Sequence, residues 1–209
     1  MNIEFEELTH QNFSDACNID RDDIPEGFVD TASTIRPIKK KAMIQTERLT
    51  LKPYSAQDAD ELLDILTMPE VTDTFMVPKM ESRRCLEELV QKLISFSQVE
   101  DDKHLEYGIY LNGKIIGFIN DCGIEDDEIE IGYVVHPRYQ GCGYATEAVH
   151  AVITELREMG FRKITAGYFA ENTASLRVME KYGMRQTDET EEEEYHGRKH
   201  ICKYCELCF

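Results

Sequence analysis

The chain has 209 residues, of which 42% are hydrophobic and 31% are charged, and its formal net charge is −18. This length and composition indicate an ordinary soluble globular protein that is long enough for one full core. We expect neither a membrane nor a nucleic acid as partner, because no apolar run approaches the roughly 18–20 residues of a membrane span and the acidity opposes binding to phosphates.

The N-terminus and the cysteines indicate a cytoplasmic protein. The stretch from Met1 to Glu7 is acidic and lacks the basic region and apolar segment of a secretory signal. Seven cysteines are an odd number in a chain without such a signal, which argues against a disulfide framework. The net charge suits a cationic amine substrate, and it equally suits a surface that only has to stay soluble.

Residues 1–41 form a segment of their own. They predict a short strand followed by an amphipathic helix, and the same order of patterns returns at residues 51–63. A basic, proline-bearing linker at residues 35–41 places a boundary near residue 42 and leaves residues 42–209 as the main domain. Two interpretations stay open: an incomplete copy of the main domain's opening, or a surface extension that covers an edge or a partner subunit.

The first half of the main domain predicts strands and helices with clear start signals. Ser55 is a helix N-cap candidate with Asp58 in the capping-box position, and Asn112-Gly113 between two strand patterns is a strong hairpin signal. The predicted elements are a strand over 47–53, helices that begin at Ser55 and Ser82, an irregular stretch over 68–80, and hairpin strands over 107–111 and 114–120.

The centre of the main domain is a strand, a glycine-rich turn and a helix in direct succession. Residues 129–135 predict a buried strand, which Pro137 ends because proline lacks an N–H group and restricts the residue before it. Gly141 and Gly143 permit backbone conformations that other residues avoid, and the helix that follows runs to Gly160. The first turn of a helix has unpaired N–H groups and a partial positive charge, so this arrangement can bind phosphate oxygens.

The last third of the chain predicts a strand over 163–169, a short helix over 171–184 and two final strands. These strands flank the acidic run 188–194, which we expect to be a solvated hairpin and not a metal site.

Three cysteines near the C-terminus raise the question of a zinc site. Strand alternation places Cys202 and Cys208 on one face and Cys205 on the other, so the three thiols cannot converge on one ion. We therefore expect no metal.

Two motifs in the second half of the chain follow one another in order. Gln140-Gly-Cys-Gly143-Tyr-Ala145 fits the pattern Gln/Arg-x-x-Gly-x-Gly/Ala, whereas it lacks the endings of a Walker loop and of a dinucleotide fingerprint. Asn172-x-x-Ser175 is followed by Gly183-Met184. The first motif resembles the acetyl-CoA pyrophosphate loop of the GNAT superfamily of N-acetyltransferases, and the second resembles another GNAT signature.

The resemblance covers residues 46–207 and implies a fold. Residues 47–53 resemble the first strand of the RimJ/RimL-like branch, which includes ribosomal-protein N-terminal acetyltransferases. The implied GNAT fold is α/β (α+β), with a mixed, mostly antiparallel sheet that splays after its fourth strand and carries helices on both faces. Acetyl-CoA, the co-substrate, lies in the V between the separated strands. By the same resemblance, residues 1–41 look like the truncated opening of such a domain.

The resemblance also implies which residues bind acetyl-CoA. Backbone groups of the central strand hold the pantetheine and polarise the acetyl carbonyl, N–H groups of the loop hold the pyrophosphate, and an asparagine side chain contacts the pantetheine arm. In that order these residues are Tyr133, Val134 and Val135, then Gln140, Gly141, Cys142, Gly143, Tyr144 and Ala145, then Asn172. Cys142 stands at an often basic position, so we expect phosphate binding to depend more on backbone amides.

Acetyl transfer needs a deprotonated amine, a polarised thioester and a proton for the leaving thiolate. Glu130, near the splay point, is the candidate base, and Glu128 on the same strand face is a weaker one. Many relatives place a tyrosine acid where this chain has Met179, so Ser175 is the candidate acid and Tyr182 an alternative.

These features favour an N-acetyltransferase that transfers acetyl from acetyl-CoA directly to a primary amine. The acceptor is a protein N-terminus or a small amine such as a polyamine or an antibiotic, and the protein is a monomer or a homodimer. The alternative is a non-catalytic acyl-CoA-binding sensor or interaction module, which the methionine at position 179 and the unusual N-terminal segment would suit.

Overall fold

The structure is a computed structural model that describes residues 43–77, 82–99 and 104–209. Within these ranges the chain forms one sheet of eight strands: β1 Ile44–Gln45, β2 Leu49–Lys52, β3 Glu106–Leu111, β4 Lys114–Glu125, β5 Glu128–Val135, β6 Lys163–Phe169, β7 Arg185–Tyr195 and β8 Arg198–Cys208. The helices are α1 Ala59–Thr67, α2 Pro69–Thr72, α3 Arg83–Gln98, α4 Tyr144–Met159 and α5 Thr173–Tyr182. None of the helices in these ranges combines the length and the apolar character that crossing a bilayer requires. The predictions for residues 1–41 lie outside the described residues.

The sheet confirms the predicted mixed topology. Its strand order is β1-β2-β3-β4-β5-β6-β8-β7, and every neighbouring pair is antiparallel except β5 and β6. Those two strands are parallel over three residue pairs, the last of which joins Glu130 and Thr165. Beyond this pair the strands separate. The splay was expected after the fourth strand. It follows β5, which is the fourth strand when the short strand β1, two residues long, is left out of the count.

Helices cover both faces of the sheet, as predicted. On one face α4 and α5 pack against β5, β6 and β8, and the core there includes Ile129, Val152 and Leu156. On the other face α1 and α3 form a second apolar cluster with the strands, which includes Leu62 and Phe118. Each cluster removes apolar surface from water, which is the main force that holds the layers together.

Local sequence signals set several element boundaries. The Asp58 carboxylate accepts hydrogen bonds from the Ser55 backbone N–H and hydroxyl, both at 2.7 Å, just before α1. The side chain of Ser82 accepts the Cys85 N–H at the start of α3. Asn112 and Gly113 both have positive φ angles, 51° and 81°, as the tight hairpin turn between β3 and β4 requires. These three predictions are confirmed.

The prediction for the acidic run 188–194 is wrong. These residues lie within β7, and the chain reverses at His196-Gly197, where both φ angles are positive. Within the described residues β7 pairs with β8 alone, so it forms an edge of the sheet with most of its side chains exposed on both faces. A strand with two solvated faces carries no apolar alternation, and its sequence is indistinguishable from that of a charged loop.

Candidate active site

A cleft of about 690 Å³ opens where β5 and β6 separate. Its walls come from residues 130–135 of β5, from the loop that leads into α4, from the first turns of α5 and, on the opposite side, from residues 70–76 around α2. This volume is within the range of about 300–1,000 Å³ that is typical of small-molecule sites. All predicted site residues line the cleft except Cys142, which is exposed beside it.

The predicted phosphate-binding loop has the backbone geometry of a sharp turn. Gly141 and Gly143 adopt φ angles of 74° and 83°, in the left-handed region that favours glycine. The side-chain amide of Gln140 donates to the Val135 carbonyl at 2.9 Å, which ties the loop to the end of β5. Sequence and backbone geometry therefore agree on the loop.

Helix α4 begins directly behind this loop. Gly143 is its N-cap residue, and the first helical hydrogen bond runs from the Glu147 N–H to the Gly143 carbonyl at 3.0 Å. The N–H groups of residues 144–146 precede that bond and have no acceptor within the helix. Because residues 144–146 line the cleft, this helix start can receive an anion.

Arg48 brings a guanidinium to the loop beside position 142, where it is paired with a carboxylate. Its guanidinium donates to the Cys142 carbonyl at 3.0 Å and lies over the Tyr144 ring, 4.6 Å from the centroid. The same group pairs with Glu147 at 2.6 Å. Burial alone would raise the pKa of Glu147, but hydrogen bonds from Thr46 and Arg48 outweigh it and lower that pKa. Sequence analysis missed Arg48, since no local pattern connects it with a loop 94 residues away.

The second half of β5 presents its backbone edge to the cleft. Pairing with β6 ends at Glu130, so the edge of residues 131–135 that faces β6 has no strand partner there. The opposite edge stays paired with β4 up to Val135. Tyr133, Val134 and Val135 therefore hold backbone groups where an extended ligand could pair with them as a strand would.

Glu130 lies at the apex of the splay. Its carboxylate accepts the backbone N–H of Gly167 across the gap between β5 and β6, and a Cβ atom at position 167 would come within 3.2 Å of Glu130 Oε1. Burial, followed by the carboxylates of Glu191 and Glu189, raises the pKa of Glu130 above its ordinary value. A half-buried carboxylate with a raised pKa is suited to accept a proton.

Glu128, the weaker candidate base, does not line the cleft. Its exposed carboxylate pairs with Lys163 at 2.9 Å across the parallel strands. Of the two glutamates that strand alternation placed on one face, only Glu130 therefore lines the cleft.

A second cavity of about 370 Å³ shares Glu130 and Tyr204 with the cleft. Its remaining walls are mainly acidic, and the lysine among them, Lys163, is already paired with Glu128. The acidic residues are Glu125, Glu128, Glu189, Glu191 and Glu206. Two of them, Glu189 and Glu191, belong to the acidic run in β7, so the misassigned strand contributes directly to the surroundings of Glu130.

The two residues of the Asn-x-x-Ser motif lie at the start of α5. Asn172 is the N-cap residue, and its side-chain oxygen accepts the Ser175 N–H at 3.1 Å. Ser175 Oγ lies 2.7 Å from the hydroxyl of Tyr133 on β5. The amide nitrogen of Asn172 carries two further donors for a ligand in the cleft.

Neither the alternative acid, Tyr182, nor Met179, which stands at the usual position of a tyrosine acid, lines the cleft. Met179 is fully buried in the core beneath α5. Tyr182 lies edge-on to His150, with ring centroids 4.8 Å apart, and does not line the cleft. Of the candidates weighed from sequence, only Ser175 offers its hydroxyl there.

The wall opposite β6 is apolar near Glu130. Phe75 and Met76 line the cleft, and the Phe75 ring lies so close to Gly132 that a Cβ atom there would come within 3.0 Å of it. Tyr195, at the end of β7, accepts the Val77 N–H at 3.1 Å and donates to the Phe75 carbonyl at 3.3 Å. The C-terminal hairpin and residues 75–77 are therefore joined.

The cysteines of β8 alternate as predicted. Cys202 lines the cleft, whereas Cys205 is buried in the core on the other face of the sheet. Burial, with help from nearby glutamates, raises the pKa of the Cys202 thiol to about 11. Among the described residues, no group of three or more His, Cys, Asp or Glu side chains is arranged to hold a metal.

The cleft fits acetyl-CoA in three respects: its volume, the free N–H groups at the start of α4 for a diphosphate, and the unpaired edge of β5 for the amide-containing pantetheine arm. A split sheet with a helix start at its open end is an architecture for binding an acyl-CoA. The chain belongs to the GNAT family of acetyltransferases, because residues 48–185 match the acetyltransferase (GNAT) domain.

Relatives and solved structures agree with this assignment. The chain is 27% identical over 150 residues to the uncharacterized N-acetyltransferase YoaA of Bacillus subtilis strain 168, covering 69% of this chain and 83% of YoaA. Its fold is similar to that of RimL, a ribosomal L7/L12 alpha-N-protein acetyltransferase solved with coenzyme A, with a TM-score of 0.71 at 18% identity, covering 80% and 98% of the two chains. The microcin C7 self-immunity acetyltransferase MccE, solved with acetyl-CoA and AMP, gives a TM-score of 0.67 at 17% identity, covering 78% and 94%. The predicted fold and the similarity to RimJ/RimL-like enzymes are confirmed.

Proposed function

The protein is a GNAT-type N-acetyltransferase, and we propose that it transfers acetyl from acetyl-CoA directly to a cationic primary amine, with Glu130 as the base. The observation that carries the proposal is the position of Glu130. Its carboxylate lies at the inner end of the cleft and also lines the acidic second cavity, so donor and acceptor can approach it from different sides.

The phosphates of acetyl-CoA bind at residues 140–145, and its pantetheine arm lies along the free edge of β5. Glu130 accepts a proton from the bound ammonium, and the neutral amine attacks the acetyl carbonyl, which backbone groups of β5 polarise. The C–S bond then breaks, the nitrogen passes its second proton through water to the departing thiolate, and the Ser175 hydroxyl donates a hydrogen bond to the sulfur. Support for these roles comes from the shared cleft and from the raised pKa of Glu130.

The acceptor is a cation, because a protonated amine that enters through the second cavity passes carboxylates before it reaches Glu130. A polyamine and a basic protein N-terminus both have this chemistry. The similarity to RimL, whose name includes ribosomal L7/L12, keeps the protein N-terminus among the acceptors to be tested.

The test is product mass spectrometry after incubation with acetyl-CoA and a panel of polyamines, aminoglycosides, amino acids and peptides. Mass detection is preferable to a thiol dye, because the seven cysteines of the chain would react with the dye. Acetylation of cationic amines supports the proposal, and preference for a neutral or anionic amine contradicts the cationic acceptor. If no amine is acetylated while the protein binds CoA, the proposal is wrong and a CoA sensor takes its place.

A further inference from the structure

Two hydroxyl groups meet in the cleft, one from β5 and one from α5. The Tyr133 hydroxyl oxygen lies 2.7 Å from Ser175 Oγ and 2.9 Å from the Ser175 carbonyl oxygen. Both residues line the cleft. Because the resemblance assigns only the backbone of Tyr133 to ligand binding, the phenol group has no role in the reaction described so far.

The position of Ser175 is fixed from both sides. Its backbone N–H is held by the Asn172 side chain at 3.1 Å, and its hydroxyl by Tyr133. One turn later, Met179 is fully buried and offers no proton. Of the hydroxyl groups on α5, that of Ser175 is the one that lines the cleft.

A serine hydroxyl has one proton and rotates freely unless a neighbour orients it. The Tyr133 proton has two acceptors within reach, the Ser175 carbonyl oxygen at 2.9 Å and Oγ at 2.7 Å, and Oγ is the nearer one. When Oγ accepts that proton, its own O–H is free to point into the cleft. Burial raises the pKa of Tyr133 far above its ordinary value, which keeps the phenol protonated as this arrangement needs.

We propose that Tyr133 is a positioning residue for acetyl transfer: its hydroxyl donates to Ser175 Oγ and thereby directs the Ser175 proton at the departing sulfur. The inference rests on the proposed function, since it assumes that a thioester is cleaved in this cleft. The pair takes the place of the tyrosine acid whose position Met179 occupies.

Neither hydroxyl is consumed in the step. The C–S bond breaks, its electron pair stays on sulfur, and the Ser175 O–H donates a hydrogen bond to the thiolate. After the attack the nitrogen loses a second proton as the amide forms, and this proton passes through water to the thiolate, whereas the first proton of the ammonium leaves through Glu130. A phenol with a raised pKa is a poor acid but a reliable hydrogen-bond donor, which suits this role.

The test compares Tyr133→Phe, Ser175→Ala and the double variant in steady-state kinetics. Removing a donor to a developing charge costs about 10²–10³-fold in turnover, so we expect Ser175→Ala to lower kcat by about 100-fold. We expect Tyr133→Phe to lower kcat by about 10-fold, because the Ser175 proton is still present but no longer oriented by a neighbour. The double variant should equal Ser175→Ala, because the tyrosine acts only through the serine. The KM for acetyl-CoA and the affinity for CoA should stay within about 2-fold, since no binding group is removed.

Tyr182→Phe is the matched control, because Tyr182 is the last residue of α5 and does not line the cleft; its kcat should equal that of the wild type. Tyr133→Phe keeps the ring that packs against the core, and its thermal unfolding is measured to verify the fold. A wild-type kcat for Tyr133→Phe, effects that multiply in the double variant, or an equal loss of CoA affinity each overturn the inference. A wild-type protein that acetylates no amine disproves the proposed function instead, before any variant is compared.

Discussion

Glu130 shows how one side chain gets its properties from three strands. Its own strand, β5, places it at the splay, β6 supplies the Gly167 N–H, and β7 supplies the carboxylates that help to raise its pKa. The surrounding protein opposes the charged form, whereas the Gly167 N–H favours it. Burial and the neighbouring carboxylates therefore favour the protonated form, and the Gly167 N–H limits the rise of the pKa.

The first prediction is that Glu130→Gln lowers kcat by about 10²–10³-fold, which is the usual contribution of a positioned base. The substitution keeps the size of the side chain, so the affinity for CoA, measured by calorimetry, should not change. Glu128→Gln is the matched control for kcat, because Glu128 lies on the same strand but pairs with Lys163 outside the cleft; since it lines the second cavity, only the KM for the amine should change. Loss of CoA affinity in step with kcat would contradict the role as base.

The second prediction concerns stability, and its sign follows from the raised pKa of Glu130. The folded state binds the proton of the Glu130 carboxyl more tightly than the unfolded state does. Glu130 therefore adds to the free energy of unfolding below its unfolded pKa, about 4.3, and this stabilisation is lost as the pH rises through the folded pKa. Glutamine does not titrate, so Glu130→Gln does not lose this stabilisation as the pH rises. Denaturant unfolding at several pH values should therefore show the variant gaining stability relative to the wild type as pH rises. A difference that does not vary with pH would contradict the pKa direction.

At the scale of elements, the loop between β5 and α4 depends on glycine at position 143. The third prediction is that Gly143→Ala raises the KM for acetyl-CoA about 10-fold or more, because the φ angle of 83° strains any other residue by about 1–2 kcal/mol and the loop must shift. Gly197→Ala, in the β7–β8 turn at a φ angle of 72°, is the matched control. Both variants should lose a similar amount of stability, but only the first should change KM. Equal KM values would show that the loop does not bind the co-substrate.

The sequence predicted those elements whose signals are local. The capping box of Ser55 and Asp58 before α1, the Asn112-Gly113 turn and the glycine loop before α4 all depend on a few adjacent residues. The acidic part of β7 could not be recognised, because an edge strand with two exposed faces has no apolar alternation.

The parts of the candidate site that depend on adjacent residues were also predictable from the sequence. The loop and the Asn172–Ser175 cap carry motifs, whereas the contacts between distant parts of the chain do not. Tyr133 meets Ser175 across 42 positions, Arg48 reaches Cys142 across 94, and Tyr195 reaches Val77 across 118. Only the folded structure brings these pairs together, so no motif in the sequence predicts the contacts.

For the whole molecule, the net charge of −18 acts on the two substrates with opposite signs. The fourth prediction is that added salt raises the KM for a polyamine and lowers the KM for acetyl-CoA. The negative field attracts the cation and repels the anion, and salt screens both effects, with a Debye length of about 10 Å at 0.1 M. Initial rates at several salt concentrations measure both constants. Constants that move in the same direction would indicate a general salt effect on the protein.

Strand β7 has a consequence beyond the active site. Within the described residues one of its edges is unpaired, and such an edge can hydrogen-bond to a strand of another copy and let the sheet grow from molecule to molecule. The run of carboxylates along β7 makes two copies repel each other at neutral pH. The carboxylates of β7 that line the cavity beside Glu130 thus also oppose the pairing of this edge with a second copy of the chain.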